Sequence, residues 1–404
     1  MIRKYIKRNK TAIIILLIIF FQNPIWPLWY IPYMPLSFLF CIILYLKKRN
    51  SKGSPKTKNV LPIIALIFGF VILPIIRGGF HGSNILYILC FIAALSITAE
   101  ESTEVLGLLS KGMGAIVGVS VIAWIIHIAV HPLPQIGVID LTAMKGNSTF
   151  MENYGFFVQN QDLRAFRFFS VFDEPGVLGT LGAYLLYVNR YEFTKWYNIA
   201  ILVGCLCSMS LAFYALTLIG LVYSSIGSTK RLVIIFLTLL VVAWVGYDII
   251  KDNDDFNDLI IGRLMNASDS LDDRSGYAAG AYYDKMGIGE FLFGIGSNKL
   301  VELNLNEGAS YKNFIIEYGL ISILILVYAY WGLNKKNNLD ILVFVGMFWL
   351  SFLQRPTSFI AWQILIYACI AAKLSQNEKS KEKRKRRLVS VSPQVKFETA
   401  ENIL

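Results

Sequence analysis

Charge is scarce in this sequence. Asp, Glu, Lys and Arg together make up 16% of the 404 residues, where a soluble domain carries about 25%. That shortage excludes an ordinary soluble globular class. Histidine is rarer still. His81, His127 and His131 are the three in the chain. They show no ligand spacing and read as structural or interfacial side chains, although His131 stands at the outer end of its helix, where a base is useful. The five cysteines, Cys41, Cys90, Cys205, Cys207 and Cys369, all fall in apolar runs and make no CxxC. Neither a disulfide framework nor a metal site is therefore expected, and no cofactor. No small-residue cleavage site precedes Pro24, so the first apolar segment reads as a retained anchor rather than a signal peptide. Internal repeats are lacking, and low complexity is confined to the basic tail.

Apolar sequence is what the chain has in abundance. Hydrophobic residues reach 55%, in recurring runs of roughly 17–25 residues, the length that carries a helix across a bilayer. The runs are continuous rather than alternating, which argues against a β-barrel. The expected fold is all-α: a polytopic membrane protein of about twelve transmembrane helices, with membrane lipid as its surroundings. The net charge of +11 sits in the terminal tails and short loops. The positive-inside rule assigns these to the cytoplasm, and no nucleic-acid motif accompanies them. Nucleic acid is therefore not an expected partner.

Basic clusters set the orientation. Thr11–Asn23 and Leu28–Leu46 form a hairpin around Asn23-Pro24, flanked by Arg3 to Lys10 and Lys47 to Lys58. Val60–Ile76 runs outward, the Arg77 to Gly82 turn follows, and Asn84–Ala99 returns. Glu100, Glu101, Glu104 and Lys111 lie inside, and Gly112–Val130 goes out again. An outer loop over 131–175 leads to Gly176–Val188. The run Asn198–Ile226 is one long helix or two short ones broken near Ser208-Met209-Ser210; length does not decide, and charge bias favours two. Leu232–Ile249 leads to a second outer loop over 250–312, and Asn313–Leu333 returns. Leu339–Leu353 and Phe359–Ala372 form a last hairpin around Gln354-Arg355-Pro356. A transmembrane domain over 1–372 is thus followed by a basic tail, 373–404, containing KSKEKRKRR and expected to be cytoplasmic and disordered. Both termini are expected inside.

This orientation leaves arginines on the outer face: Arg77, Arg164, Arg167, Arg263, Arg274 and Arg355. A guanidinium binds phosphate bidentately and stays charged. At the membrane surface such groups suit a lipid-linked phosphate or diphosphate, or anchor headgroups and pair with nearby acids. The densest window is LRAFRFFSVFDEPGVLGTLG, Leu163 to Gly182. Arg164 and Arg167 share a helix face by spacing. Glu174 precedes Pro175 at a helix start. It reads either as a capping carboxylate or as one that orients or deprotonates an acceptor hydroxyl. Gly176, Gly179 and Gly182 mark close helix packing. Gly287, Gly289, Gly294 and Gly296 give turns; without a preceding strand they are not a nucleotide fingerprint.

RFFSVFDEPGVLG resembles the Arg–Ser–Phe–Glu–Pro–Gly segment of the bacterial O-antigen polymerase family, within the wider polymerase and O-antigen ligase superfamily. Three further stretches match in order. SMSLAFYALTLIGL resembles the family's serine-marked helix break. Gly262-Arg263 falls in the large outer loop. GIGSNK and NFIIEYGLI resemble the G-x-G turn and the terminal E-x-G helix. The resemblance covers roughly residues 160–330. It implies a GT-C-like helical bundle with a large extracytoplasmic loop, in the bacterial plasma membrane. It also implies metal-independent glycosyl transfer from an undecaprenyl-pyrophosphate-linked oligosaccharide, with a chain-length regulator as a candidate partner. Arg167, with Arg263 or Arg274, would hold the diphosphate; Glu174 or His131 is the candidate base. Ligases of the superfamily carry a histidine shortly before the E-x-G glutamate, where this chain has Gly308, so Ser310 and Tyr311 are the nearest polar candidates. Ligase-type transfer and a lipid-linked oligosaccharide flippase are the alternatives.

Overall fold

The computed structural model describes residues 10–22, 33–49, 60–142, 149–160, 167–226, 276–305, 310–334, 338–356 and 359–391. Over these the chain is mostly helical. The helices are α1 (Lys10–Gln22), α2 (Tyr33–Arg49), α3 (Val60–Ile76), α4 (Ser83–Leu95), α5 (Ala99–Ala129), α6 (Pro175–Val188), α7 (Trp196–Cys207) and α8 (Leu211–Ser225), then α9 (Tyr277–Tyr283), α10 (Ile288–Phe293), α11 (Ser297–Glu302), α12 (Tyr311–Leu333), α13 (Leu339–Gln354) and α14 (Ala361–Val391). The expected segment Leu232–Ile249 lies outside the described residues. Helices α5, of 31 residues, and α12, of 23, are long and apolar enough to cross a membrane; several other apolar helices run 10–17 residues.

The stretch between α5 and α6 contains a small antiparallel sheet, β1 (Gly137–Asp140), β2 (Phe150–Asn153) and β3 (Val158–Asn160), in the order β1-β2-β3. Ile139 pairs with Met151 in register. Ile139, Leu141, Met151, Val158 and Phe169 close a separate apolar cluster. Val158 N donates to Ser170 O at 2.8 Å, which ties the sheet to the approach to α6.

Two helices run further than the sequence suggests. The segment expected as Gly112–Val130 begins at Ala99, because Thr98 and Glu101 form a reciprocal capping box. The Glu101 carboxylate also pairs with buried Lys48 at the end of α2. Helix α14 continues through the basic KSKEKRKRR run to Val391, where disorder was expected. Its Lys, Arg, Glu and Gln are good helix formers, and extending an existing helix avoids the nucleation cost. Residues 392–404 lie outside the described residues.

The ambiguous run 198–226 is two helices. Ser210 caps α8 by accepting from Phe213 N, and Ser208 Oγ donates to Cys205 O at 2.6 Å. Small hydroxyl side chains compete with the helix backbone in this way. Contacts along α6 fix the directions. Asn198 in α7 meets Asn189 at one end of α6, while Cys205 and Ser210 meet Gly182 and Gly179 toward the other. Gly220 in α8 then returns to Tyr187 and Tyr191. Thus α7 and α8 run in opposite senses on either side of α6, with the serine break at the end that carries Glu174.

The bundle has two chemically distinct ends. One gathers Arg77, His81, Glu174, Glu317 and Arg355 near helix termini. The other gathers Lys48, Glu101, Arg190, Asp340 and Asn338. Between them lies a continuous apolar core in which Tyr184, Tyr330, Tyr367, Phe344 and Phe348 are buried.

Candidate functional site

The Arg77 end is assembled around two breaks in helical geometry. Helix α3 carries a π-helical turn at Phe68–Ile72 just before Pro74. Proline has no N–H to give the preceding turn. Side chains take over: Asn84 Nδ2 donates to Phe70 O at 2.9 Å, and Ser322 Oγ to Gly69 O at 3.5 Å. Opposite, α12 breaks at Gly319, whose φ of 80° and ψ of 164° belong to glycine. A Cβ there would collide with Leu292 O and the Phe293 carbonyl carbon.

The break frees carbonyls that a straight helix would use internally. Ile295 N donates to Ile316 O at 2.8 Å and Gly296 N to Glu317 O at 3.1 Å. Gly294 and Gly296 both have positive φ, 75° and 82°, so the turn lies flat against the broken helix. The GIGSNK and EYG stretches, separate in sequence, are one contact in the folded chain. Arg77, ending α3, completes it: Nη1 donates to Gly294 O, and the guanidinium sits 5.4 Å from the Phe293 ring centre.

His81 Nε2 lies 3.1 Å from Glu317 Oε1, with side-chain exposures of 50% and 21%. The hydrogen bond to Glu317 raises the His81 pKa above its ordinary value, against the opposing effect of partial burial. The sequence left this pair unread, since His81 stood in no ligand pattern and its partner is 236 positions away. The usable signals were the rarity of histidine and the presence of a glutamate in an apolar helix.

The other candidates take separate settings. Glu174 ends the approach to α6, but its carboxylate makes no capping bond; it pairs with Arg355, the residue ending α13. A Cβ on Gly176 would lie 3.1 Å from that guanidinium, so the glycine makes room for the pair. Gly179 and Gly182 instead serve close packing, against Ser210 and Cys205. Arg167 is buried beside the serine break, where Phe168 N donates to Cys207 O at 3.2 Å. His131 is exposed, with Nδ1 2.8 Å from Pro132 O. Tyr311 packs against Tyr283, ring centres 6.3 Å apart. Arg164, Arg263 and Arg274 lie outside the described residues.

An aromatic cluster joins the two charged pairs. Phe70 stacks on Phe359 at 3.9 Å and lies 5.3 Å from Tyr318, and Phe314 lies 5.3 Å from Phe352. Tyr318 follows Glu317, and Phe352 and Phe359 bracket Arg355. Among the described residues no group of three or more His, Cys, Asp or Glu is arranged to hold a metal ion. Neither a protein-family model, nor a curated protein, nor a solved structure matches the chain.

Proposed function

We propose that the chain is a polysaccharide polymerase of the bacterial plasma membrane. It transfers a glycan from undecaprenyl diphosphate to a hydroxyl of a second lipid-linked repeat unit, at the end of the bundle bearing Arg77 and Glu317. In this reading the chain crosses the bilayer about twelve times, with both termini in the cytoplasm and the arginine-bearing end outside. The observation that carries it is the meeting of the Gly294–Gly296 turn with the Glu317–Gly319 break under Arg77, because the stretches that resemble the polymerase family there form one polar site beside an apolar bundle.

The flanks of that bundle support a lipid setting. Leu61, Ile64, Ile75, Ile122 and Leu324 are each more than half exposed. Apolar surface of this extent is unfavourable in water and neutral against acyl chains. The donor is already activated, so the protein has to stabilise charge on the departing diphosphate and accept one proton. Arg167, Arg263 and Arg274 take the first task, and Arg164, Arg77 and Arg355 are further candidate substrate ligands. Each charge-assisted bond contributes about 1.5–3 kcal/mol.

The test is chain growth by purified protein in lipid nanodiscs, given a polyprenyl-diphosphate-linked repeat unit, without metal, nucleotide sugar or ion gradient. The expected product is a ladder of longer lipid-linked chains. Arg167→Ala and Arg263→Ala should each slow it about 10- to 100-fold, the equivalent of one such bond. Chain growth retained in both at normal expression would remove the arginines from the mechanism. Glycan lost from the lipid to another acceptor would indicate a ligase, and donor left intact would indicate a flippase.

A further inference from the structure

The proposed transfer needs a proton acceptor, and two of the groups available at this end are otherwise committed. Glu174 is held by the Arg355 guanidinium. His127 Nδ1 accepts from Leu133 N at 3.0 Å, and its ring packs 4.5 Å from Tyr154. His131 Nδ1 lies 2.8 Å from the carbonyl of its own neighbour, Pro132, a backbone contact that leaves Nε2 open but brings no carboxylate to the ring. His81 is different: a carboxylate orients it from another helix, and half of its side chain is exposed.

We propose that His81, oriented by Glu317, is the general base that activates the acceptor hydroxyl. This rests on the glycosyl transfer proposed above and assigns its proton acceptor. With Nε2–H donating to Glu317 Oε1, the neutral ring presents Nδ1 as its lone-pair nitrogen. The acceptor O–H gives its proton to Nδ1 as its oxygen bonds to the anomeric carbon. The bond from that carbon to the diphosphate oxygen breaks, and the electron pair leaves with the lipid diphosphate. The imidazolium then returns its proton to the departing diphosphate or to water.

The surroundings hold the dyad in place. Beneath it lie the π-helical turn of α3 and the Gly319 break of α12, backbone departures of the kind that gather at functional sites. Arg77, four residues before His81, braces the same turn through Gly294 O. The other titratable or polar groups on the packed elements are Tyr318 on α12, which neighbours Glu317, and Asn84 and Tyr87 on α4, which lie around Tyr318. Glu290 and Lys299, on the α10–α11 segment, pair with each other at 3.4 Å.

The experiment is the pH profile of chain growth in nanodiscs for the wild type, His81→Gln, His81→Asn and Glu317→Gln, with each variant checked for wild-type elution and helicity. The wild-type rate should rise with pH through an acid limb set by His81. His81→Gln should lower kcat about 100- to 10,000-fold, leave KM for the lipid donor nearly unchanged and abolish the limb. Glu317→Gln, with histidine kept, should move the limb to lower pH. His81→Asn decides the case if the glutamine variant does not fold. A histidine variant within a few-fold of wild type, or one that keeps the limb, overturns the assignment. So does an unmoved limb in Glu317→Gln. Donor left untouched by the wild type would instead sink the polymerase reading, and the dyad with it.

Discussion

Two charged pairs stand at opposite ends of the bundle, and they differ in what is left over. At one end Asp340 is saturated. Its Oδ1 accepts from Arg190 Nη1 at 3.0 Å and from Tyr223 OH at 2.7 Å, its Oδ2 accepts from Arg190 Nη2, and its backbone carbonyl accepts from Tyr187 OH at 2.7 Å. The cluster ties α6, α8 and α13 together and holds Arg190 and Tyr191 at left-handed φ values of 58° and 52°. At the other end His81 and Glu317 share one bond, and the imidazole keeps half its exposure. A polar cluster whose acceptors are all used fixes geometry and has little capacity for chemistry. One that is oriented but incomplete has a direction in which to act.

That contrast predicts opposite consequences for the two ends. Asp340→Asn should destabilise the protein by about 2–3 kcal/mol, less than the roughly 3–5 kcal/mol of a fully buried pair, because the Arg190 side chain keeps 31% of its exposure. Thermal unfolding in detergent reads this directly. Turnover per folded molecule should stay within a few-fold of wild type. A variant with unchanged stability and lost turnover would reverse the roles assigned to the two ends.

Gly319→Ala probes the geometry under the open pair. A side chain there meets the backbone of Leu292 and Phe293, and the φ of 80° is one that alanine avoids. The backbone conformation alone costs about 1–3 kcal/mol, a loss of stability comparable to that at Asp340. The loss of chain growth should be larger, because relieving the collision moves the Gly294–Gly296 turn and Glu317 together. Unfolding and chain growth measured on the same preparation separate the two effects. Chain growth kept at the wild-type rate would show that the site tolerates a displaced turn.

Local chemistry was the readable part of this molecule. The serine break at 208–210 could be read because Ser208 and Ser210 compete with the helix backbone wherever they stand. The close packing at Gly179 and Gly182 followed from spacing alone. The pairs Glu174–Arg355 and His81–Glu317 could not be read. Each joins residues far apart in sequence, and nothing in the residue types says which carboxylate meets which cation. As a result Glu174 and Arg355, singled out separately as base and phosphate ligand, turn out to hold each other. Helix length misled in the opposite direction at α14, where a charged run that suits a disordered tail also suits a helix already begun.

The smallest expected effect separates the two pairs by pH. The folded His81 pKa lies above its unfolded value of about 6.5, because the imidazolium gains Glu317 as a partner. Such a group binds protons more tightly in the folded state. Its stabilisation is fully present below the unfolded value and is lost as pH rises through the raised folded one. The gap in thermal midpoint between wild type and His81→Gln should therefore be wider at acidic than at alkaline pH. The effect is modest, since water screens a half-exposed imidazole. The gap between wild type and Asp340→Asn should stay level across the same range, because arginine does not deprotonate there. A level gap for His81→Gln would mean that the imidazole gains no more from Glu317 in the folded protein than from water in the unfolded chain. Orientation by the carboxylate would then lose its energetic basis, whatever the distance between the two side chains.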